Sequence, residues 1–284
     1  MKKFAVIDIG SNSVRLMFVA DGKVLYKDLR STRIGEGLAC TGLLQTDAME
    51  RSAIAVSDFY RQAIKSGAER VFAFATAAVR SAKNGESFVN KVKQAYGLSI
   101  DVISGETEAE IGILGALGNR DGALVDIGGA STEIVVKKEN CLVYKKSVDI
   151  GVVRIKDVGE NAESFMQNAL IQYGNPPLNS VIYAIGGTAT TLAAQFLELA
   201  VYDSNRVTGT QITVEEMRLL VEKLKKLSVE EIERLPCMPT GRADVITGGA
   251  VWLYTLMKRF QIQKIIVSDR DNLEGYAIKK GWLQ

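Results

Sequence analysis

The chain has 284 residues, 47% hydrophobic and 24% charged, with 35 Lys and Arg against 33 Asp and Glu. That length suits two domains of about 100–150 residues, and the composition is globular rather than disordered or fibrous. A net charge of +2 excludes the broad basic field that would hold duplex nucleic acid, and the absence of histidine excludes Ser-His-Asp triads, Cys-His pairs and histidine-zinc sites.

The chain opens on strands and tight turns: Phe4–Ile9, Val14–Ala20 after Gly10-Ser11-Asn12-Ser13, then Val24–Leu29. The apolar run before Asp8 is too short for a secretory signal. A helix is predicted over Thr46–Lys65, with Thr46 as N-cap and Gly67 as stop. Strand Arg70–Ala75, helix Glu86–Tyr96, strand Ile100–Ile103 and a helix from Ser104-Gly105 through Leu117 follow. Alternation of this kind predicts an α/β domain with a mixed sheet.

The opening then returns. Asp8-Ile9-Gly10-Ser11-Asn12-Ser13-Val14-Arg15-Leu16 aligns with Asp126-Ile127-Gly128-Gly129-Ala130-Ser131-Thr132-Glu133-Ile134, 118 residues later. Two such hairpins predict two related domains, 1–120 and 121–284, divided near Gly118–Gly122. The second half continues with strand Cys141–Asp149, helices Val152–Asp157 and Ala162–Gln172, strand Val181–Ile185 and helix Ala189–Leu199. Helices Val214–Leu227 and Ala243–Phe260, strand Lys264–Val267 and a closing helix from Leu273 complete it; that last helix is allowed to pack back on the first domain. The most apolar stretch, 181–201, is broken by Gly186-Gly187 and several Thr, so no membrane span is expected. Cys40, Cys141 and Cys237 are scattered and odd in number, which predicts inert thiols in a reducing, cytoplasmic setting.

Glycine turns let backbone amides approach an anion together. Gly10, Ser11, Asn12 and Ser13, and Gly128, Gly129, Ala130, Ser131 and Thr132, are therefore candidate phosphate-binding residues. Asp8 and Asp126 in front of these turns would repel phosphate unless a divalent cation lies between. Gly186, Gly187 and Thr188 follow an apolar strand and open a helix, a third anion-binding turn. Without histidine, hydrolysis needs a carboxylate to activate water. Glu106, Glu108 and Glu110 at one helix start all qualify, and helix-start electrostatics alone explains them equally well. Arg15 and Arg80 flank the turns and suit phosphate oxygens, whereas Arg33, Arg154, Arg242 and Arg270 are more scattered.

These residues together resemble the exopolyphosphatase/guanosine pentaphosphate phosphatase family, within the actin, Hsp70 and sugar-kinase superfamily. The resemblance covers nearly the whole chain. It is carried in order by Ile7–Leu16, Ile34-Gly35-Glu36-Gly37-Leu38, Ala75–Arg80, Ser104–Ala109, Asp126–Glu133, Gly151-Val152-Val153-Arg154, Ile185–Thr188 and Arg242-Ala243-Asp244-Val245-Ile246. It implies two actin-like (ribonuclease H-like) α/β domains, each a mixed sheet flanked by helices, with the active site in the cleft between them. It implies Glu108 as the catalytic glutamate and Arg80 as a second catalytic residue, at a phosphate-binding position. Asp126, Glu133 and Asp8 become the ligands of magnesium, or of manganese. The turn residues and Arg15 then bind substrate, which is polyphosphate or guanosine penta- or tetraphosphate. A homodimer is carried without residue-level support.

Three departures stand out. Ala130 replaces a third loop glycine, Thr107-Glu108-Ala109 stands for Glu-Glu-Ala, and the segment Ser268–Gly275 lacks the usual Tyr/Gly sequence. The two-domain length resembles the family's short members and implies a weaker hold on long polyphosphate. An ATP-dependent kinase or ATPase of the same superfamily, and a non-catalytic guanosine tetra- or pentaphosphate sensor, stay open as alternatives.

Overall fold

The computed structural model describes residues 3–178 and 181–283. The first sheet has the order β3-β2-β1-β4-β5, built from β1 (Lys3–Ile9), β2 (Ser13–Ala20), β3 (Lys23–Ser31), β4 (Arg70–Ala75) and β5 (Ile100–Val102). The first three strands form an antiparallel meander, and β4 and β5 run parallel to β1. Helices α1 (Leu38–Thr41), α2 (Thr46–Lys65), α3 (Ala77–Ser81), α4 (Gly85–Tyr96) and α5 (Gly105–Leu117) belong to the same half of the sequence.

The second sheet repeats that plan. It contains β6 (Gly122–Ile127), β7 (Thr132–Lys138), β8 (Cys141–Val148), β9 (Ile182–Ile185), β10 (Gln211–Thr213) and β11 (Lys264–Val267), ordered β10-β11-β9-β6-β7-β8. Strands β6–β8 are the antiparallel meander, β9 and β11 run parallel to β6, and β10 adds an antiparallel edge. Its helices are α6 (Val152–Asp157), α7 (Ala162–Tyr173), α8 (Gly186–Phe196), α9 (Ser204–Val207), α10 (Val214–Lys225), α11 (Val229–Glu233), α12 (Ala243–Arg259) and α13 (Asn272–Lys279). Two mixed sheets flanked by helices are the architecture the resemblance implied. Strands β1 and β6 are covered on both faces and are apolar apart from Lys3, Asp8 and Asp126, whereas β3 and β8, at the edges, are mostly exposed or half-buried.

The long elements stand where hydrophobic period and punctuation put them, with local corrections. The N-cap of α2 is Gln45 rather than Thr46, which is the first helical residue. Helix α8 begins at Gly186, three residues before the expected start, so the Gly-Gly pair is its first turn. The segments α1, α3, α9, α11 and β10 were not foreseen, because three to five residues cannot display a period.

The two halves exchange a helix. Helix α5 lies on the second sheet through Ala109, Ile113, Ala116 and Leu117 against Leu124, Val135 and Ile185. Helix α13 lies on the first sheet through Leu273, Tyr276 and Ala277 against Phe4, Val6, Met17 and Phe74. The two cross at two glycines, where a Cβ on Gly115 would overlap Asp271 O and one on Gly275 would overlap Ile111 O. From Ile111 to Leu117 α5 is apolar on all sides, as this placement requires, and its charged residues are confined to the N-terminal turns. Gly275→Ala is expected to destabilise the protein by about 3 kcal/mol, read as a lower midpoint in chemical denaturation.

Candidate active site

The two related hairpins end in turns of the same geometry. Gly10 N donates to Ser13 O and Gly128 N to Ser131 O, both at 3.0 Å. The turns meet, since a Cβ on Gly129 would come within 2.7 Å of Ser11 Cβ and 2.9 Å of Asn12 N. Ala130 is buried and keeps a negative φ, so its methyl group is accommodated where a third glycine was expected. Helix α8 presents its first turn to the same space. Gly186 there has φ +80°, and a Cβ on it would come within 2.5 Å of Asp126 Oδ1.

A cavity of about 70 Å³ lies between these turns, room for a few waters or the end of a phosphate chain. Asp8, Gly10, Ser11, Asn12, Ser13, Arg15, Glu108, Asp126, Gly128, Gly129, Ala130, Ser131, Gly186, Gly187 and Thr188 line it. Arg15, Gly186, Gly187 and Arg242 also border a larger cleft of about 1670 Å³.

Three expected residues lie differently. Thr132 is fully buried, donates to Ile150 O at 2.6 Å and accepts from Trp252 Nε1 at 3.0 Å, so its hydroxyl serves the core and not a ligand. Arg80 and Glu133 stand behind the cavity wall. Arg80 Nη1 donates to Glu108 Oε2 at 3.0 Å and to Ile103 O at 2.9 Å, while Glu133 Oε1 accepts from Ser147 Oγ at 2.6 Å. Arg15 lines the cavity but is held between Asp8 and Asp271. Its charge compensates carboxylates before it can serve a phosphate.

The three candidate glutamates separate clearly. Glu106 is exposed beside Lys145, Glu110 is shared by Lys145 and Lys279, and Glu108 alone is buried in the cleft. Ser104 caps α5 by accepting from Thr107 N at 3.1 Å, which fixes the turn on which Glu108 stands. Burial is the main cause that pushes Glu108 up to about 7, with Arg80 opposing it. Asp126 is also pushed up to about 7, by burial first and the Glu108 charge second. Glu133 lies well above the usual carboxylate range for the same reasons.

The repeat explains part of this. Across β1–β2 Asp8 faces Arg15, whereas across β6–β7 Asp126 faces Glu133 at the corresponding register. One carboxylate is compensated and the other meets a like charge. Asp8 Oδ1 is moreover buried with no partner, as are Asn12 Nδ2 and Oδ1. Surplus negative charge beside free hard oxygens fits a divalent cation. Among the described residues, however, no three Asp, Glu or Cys side chains form a ready-made metal cage. Arg15 occupies the other oxygen of Asp8 and Ser147 holds Glu133. The arrangement suits magnesium, which takes one or two carboxylates and completes its shell with water and phosphate.

Thr76, Arg242 and Asn272 also line the cavity. Arg242 is buried against Gly187, where a Cβ would overlap the guanidinium, and its hydrogen bond goes to Thr191 Oγ1 at 3.2 Å. Burial pulls it down to about 10, so it stays charged at neutral pH. A buried guanidinium bonded only to neutral groups among the described residues is a ready anion partner. Thr76 belonged to a sequence motif without a separate signal, Arg242 was one of the scattered arginines as well as part of a motif, and Asn272 lay in the Ser268–Gly275 segment that departs from the family pattern.

A buried, histidine-free carboxylate cluster facing two glycine anion turns matches the chemistry of phosphate release, and the sequence matches the Ppx/GppA phosphatase family over residues 16–280. The chain belongs to the Ppx/GppA phosphatase family. Exopolyphosphatase 2 of Mycobacterium tuberculosis is 29% identical over 98% of each chain. A guanosine-5'-triphosphate,3'-diphosphate pyrophosphatase of Photobacterium profundum is 31% identical over 86% of this chain, which spans about half that protein, 54%. The crystal structure of the Aquifex aeolicus family member superimposes with a TM-score of 0.78 at 31% identity, covering 99% of this chain and 97% of that one. Among the described residues no helix is long and apolar enough to cross a membrane.

Family membership leaves the carboxylate cluster as an energetic cost of the site. Raised carboxylates favour the folded state below their unfolded values, and that contribution is lost as pH rises through the folded values near 7. Asp126→Asn is therefore expected to stabilise the protein in EDTA by about 3 kcal/mol at pH 8, a gain that fades toward pH 4. Thermal unfolding at the two pH values measures it.

Proposed function

We propose that the chain releases the terminal phosphate of a phosphoanhydride by in-line attack of water, with polyphosphate or guanosine pentaphosphate as substrate. The observation that carries this is the placement of Glu108. It is a carboxylate raised to about 7, buried in the cleft and oriented by Arg80, opposite two anion turns. A base poised near working pH takes a proton from water most effectively.

The backbone amides of Ser11, Asn12, Gly129 and Ala130, with the Asn12 side-chain amide, receive the terminal phosphate oxygens, while those of Gly10 and Gly128 close the turns on Ser13 O and Ser131 O. Arg242, charged and without a carboxylate partner, offsets the negative charge of the phosphate chain where the small cavity opens into the large cleft. Glu108 orients the attacking water and accepts its proton; Arg80 holds Glu108 and stabilises its ionised form. Asp126 and Asp8 are the residues that would hold magnesium or manganese, with Glu133 behind Asp126. When bound, such an ion supplies charge neutralisation to the phosphate oxygens. Catalysis on this reading is positioning and electrostatics. We read residues 1–120 and 121–284 as the two halves that grip the substrate, and the three unpaired thiols as suited to the cytoplasm.

Phosphate release should be measured with magnesium from long polyphosphate, short polyphosphate, guanosine pentaphosphate and ATP in parallel. Release from one of the first three, abolished by EDTA, is the expected result; turnover of ATP alone overturns the reading in favour of a kinase or ATPase. Glu108→Gln is expected to lower kcat roughly 10²–10⁴-fold while substrate binding persists. For the wild type the rate should fall as pH drops through about 7, because Glu108 takes up a proton there and can no longer accept one from water.

A further inference from the structure

Asn272 is buried at the first turn of α13, and the proton-transfer and charge chemistry above has no use for an amide there. Its Nδ2 donates to Asp126 Oδ2 at 3.2 Å. Among the described residues Asp126 receives no other side-chain hydrogen bond. The opposite atom, Asn272 Oδ1, is buried without a partner. It lies against α5, where a Cβ on Gly112 would come within 2.9 Å of it.

The amide is held from behind. Asp271 caps α13 by accepting from Leu273 N at 3.0 Å, and its other carboxylate oxygen binds Arg15. Glu274 Oε2 closes the turn by accepting from Asp271 N at 3.1 Å. Asn272 thus reaches Asp126 from an element fixed at once to the first hairpin, through Arg15, and to α5, through the glycine crossing.

Asp126 needs such a contact. It is flanked by Glu108 and Glu133, and like charges favour turning its carboxylate away. A cationic partner would oppose that but would cancel the charge that makes the carboxylate useful. A neutral donor orients it and leaves the charge in place. A residue chosen only to fill this space would be apolar, because burying an amide oxygen without a partner is costly.

We propose that Asn272 is a positioning residue that fixes the side-chain rotamer of Asp126, and that position 112 is glycine so that the amide can stand there. The proposal rests on Asp126 taking part in the hydrolysis argued above. Asn272 acts through Asp126 and touches no reacting atom.

The test joins crystal structures to kinetics. Asn272→Leu keeps the size and removes the donor; Asn272→Ser keeps a short donor, makes room, and serves for the structural comparison where the Leu variant does not fold. In Asn272→Leu the Asp126 carboxylate is expected to leave its wild-type rotamer, and kcat to fall about 10–100-fold. KM is expected to stay within about three-fold of wild type. A Cβ on Gly112 would also come within 3.0 Å of Leu124 Cδ2, a contact common to both backgrounds, so Gly112→Ala should lower kcat clearly more in the wild type than in the Asn272→Ser background, where the contact with the amide is gone. An unchanged Asp126 rotamer, an unchanged kcat, or an equal cost of Gly112→Ala in both backgrounds overturns the proposal. If the wild type releases phosphate from none of the substrates, the hydrolase reading fails, and the rotamer comparison by itself decides whether Asn272 positions Asp126.

Discussion

Three carboxylates, Glu108, Asp126 and Glu133, share one buried site, and one guanidinium, that of Arg80, pairs directly with one of them. Burial raises all three; the Glu108 charge further raises Asp126, and Glu108 and Asp126 together raise Glu133. A folded protein keeps such a cluster only where the surrounding packing holds it, because the separated charges are more stable in water. The cost is also the source of function. It leaves a base near neutrality and a demand for positive charge that a cation or an arginine can meet.

The packing that holds the cluster is the exchange of helices between halves. Helix α5 carries Glu108 while lying on the sheet that carries Asp126 and Glu133. Helix α13 brings Asn272 to Asp126 while lying on the sheet that carries Asp8. Helix α5 therefore carries a first-half glutamate to the second-half carboxylates, and the α13 cap ties the second half back to the first hairpin through Asp271 and Arg15. The close crossing at Gly115 and Gly275 sets the distance between them, so a change in that crossing reaches the chemistry without touching it.

The internal repeat accounts for shared geometry and differing chemistry. Both hairpins close with the same Gly-to-Ser bond, and both put an aspartate one residue before the strand ends. They differ at the facing residue, Arg15 in one and Glu133 in the other. Asp8 is consequently tied into an ion network reaching Asp271, and Asp126 is left without a cationic partner among the described residues and raised by burial and by the Glu108 charge.

Much of this was readable along the chain. Strands β1, β2, β6 and β7 and helices α2, α4, α5, α10 and α12 follow from apolar period and glycine punctuation, which are local properties. The glycine turns were readable because a turn that admits an anion needs glycine at fixed offsets. The missing histidines decided the chemistry by elimination, since composition has no geometry. Local pattern left Glu106, Glu108 and Glu110 equal; the family resemblance singled out Glu108, and the physical difference between them is what the other half of the protein covers. The same holds for Arg80, which turned out to orient a carboxylate, and for Thr132, whose hydroxyl went to the core. Asn272 lies more than a hundred residues from the aspartate it bonds, and Arg242 reaches the same cavity from the start of a different helix. Burial and long-range proximity created their roles, and neither is a property of any stretch of sequence short enough to show a pattern.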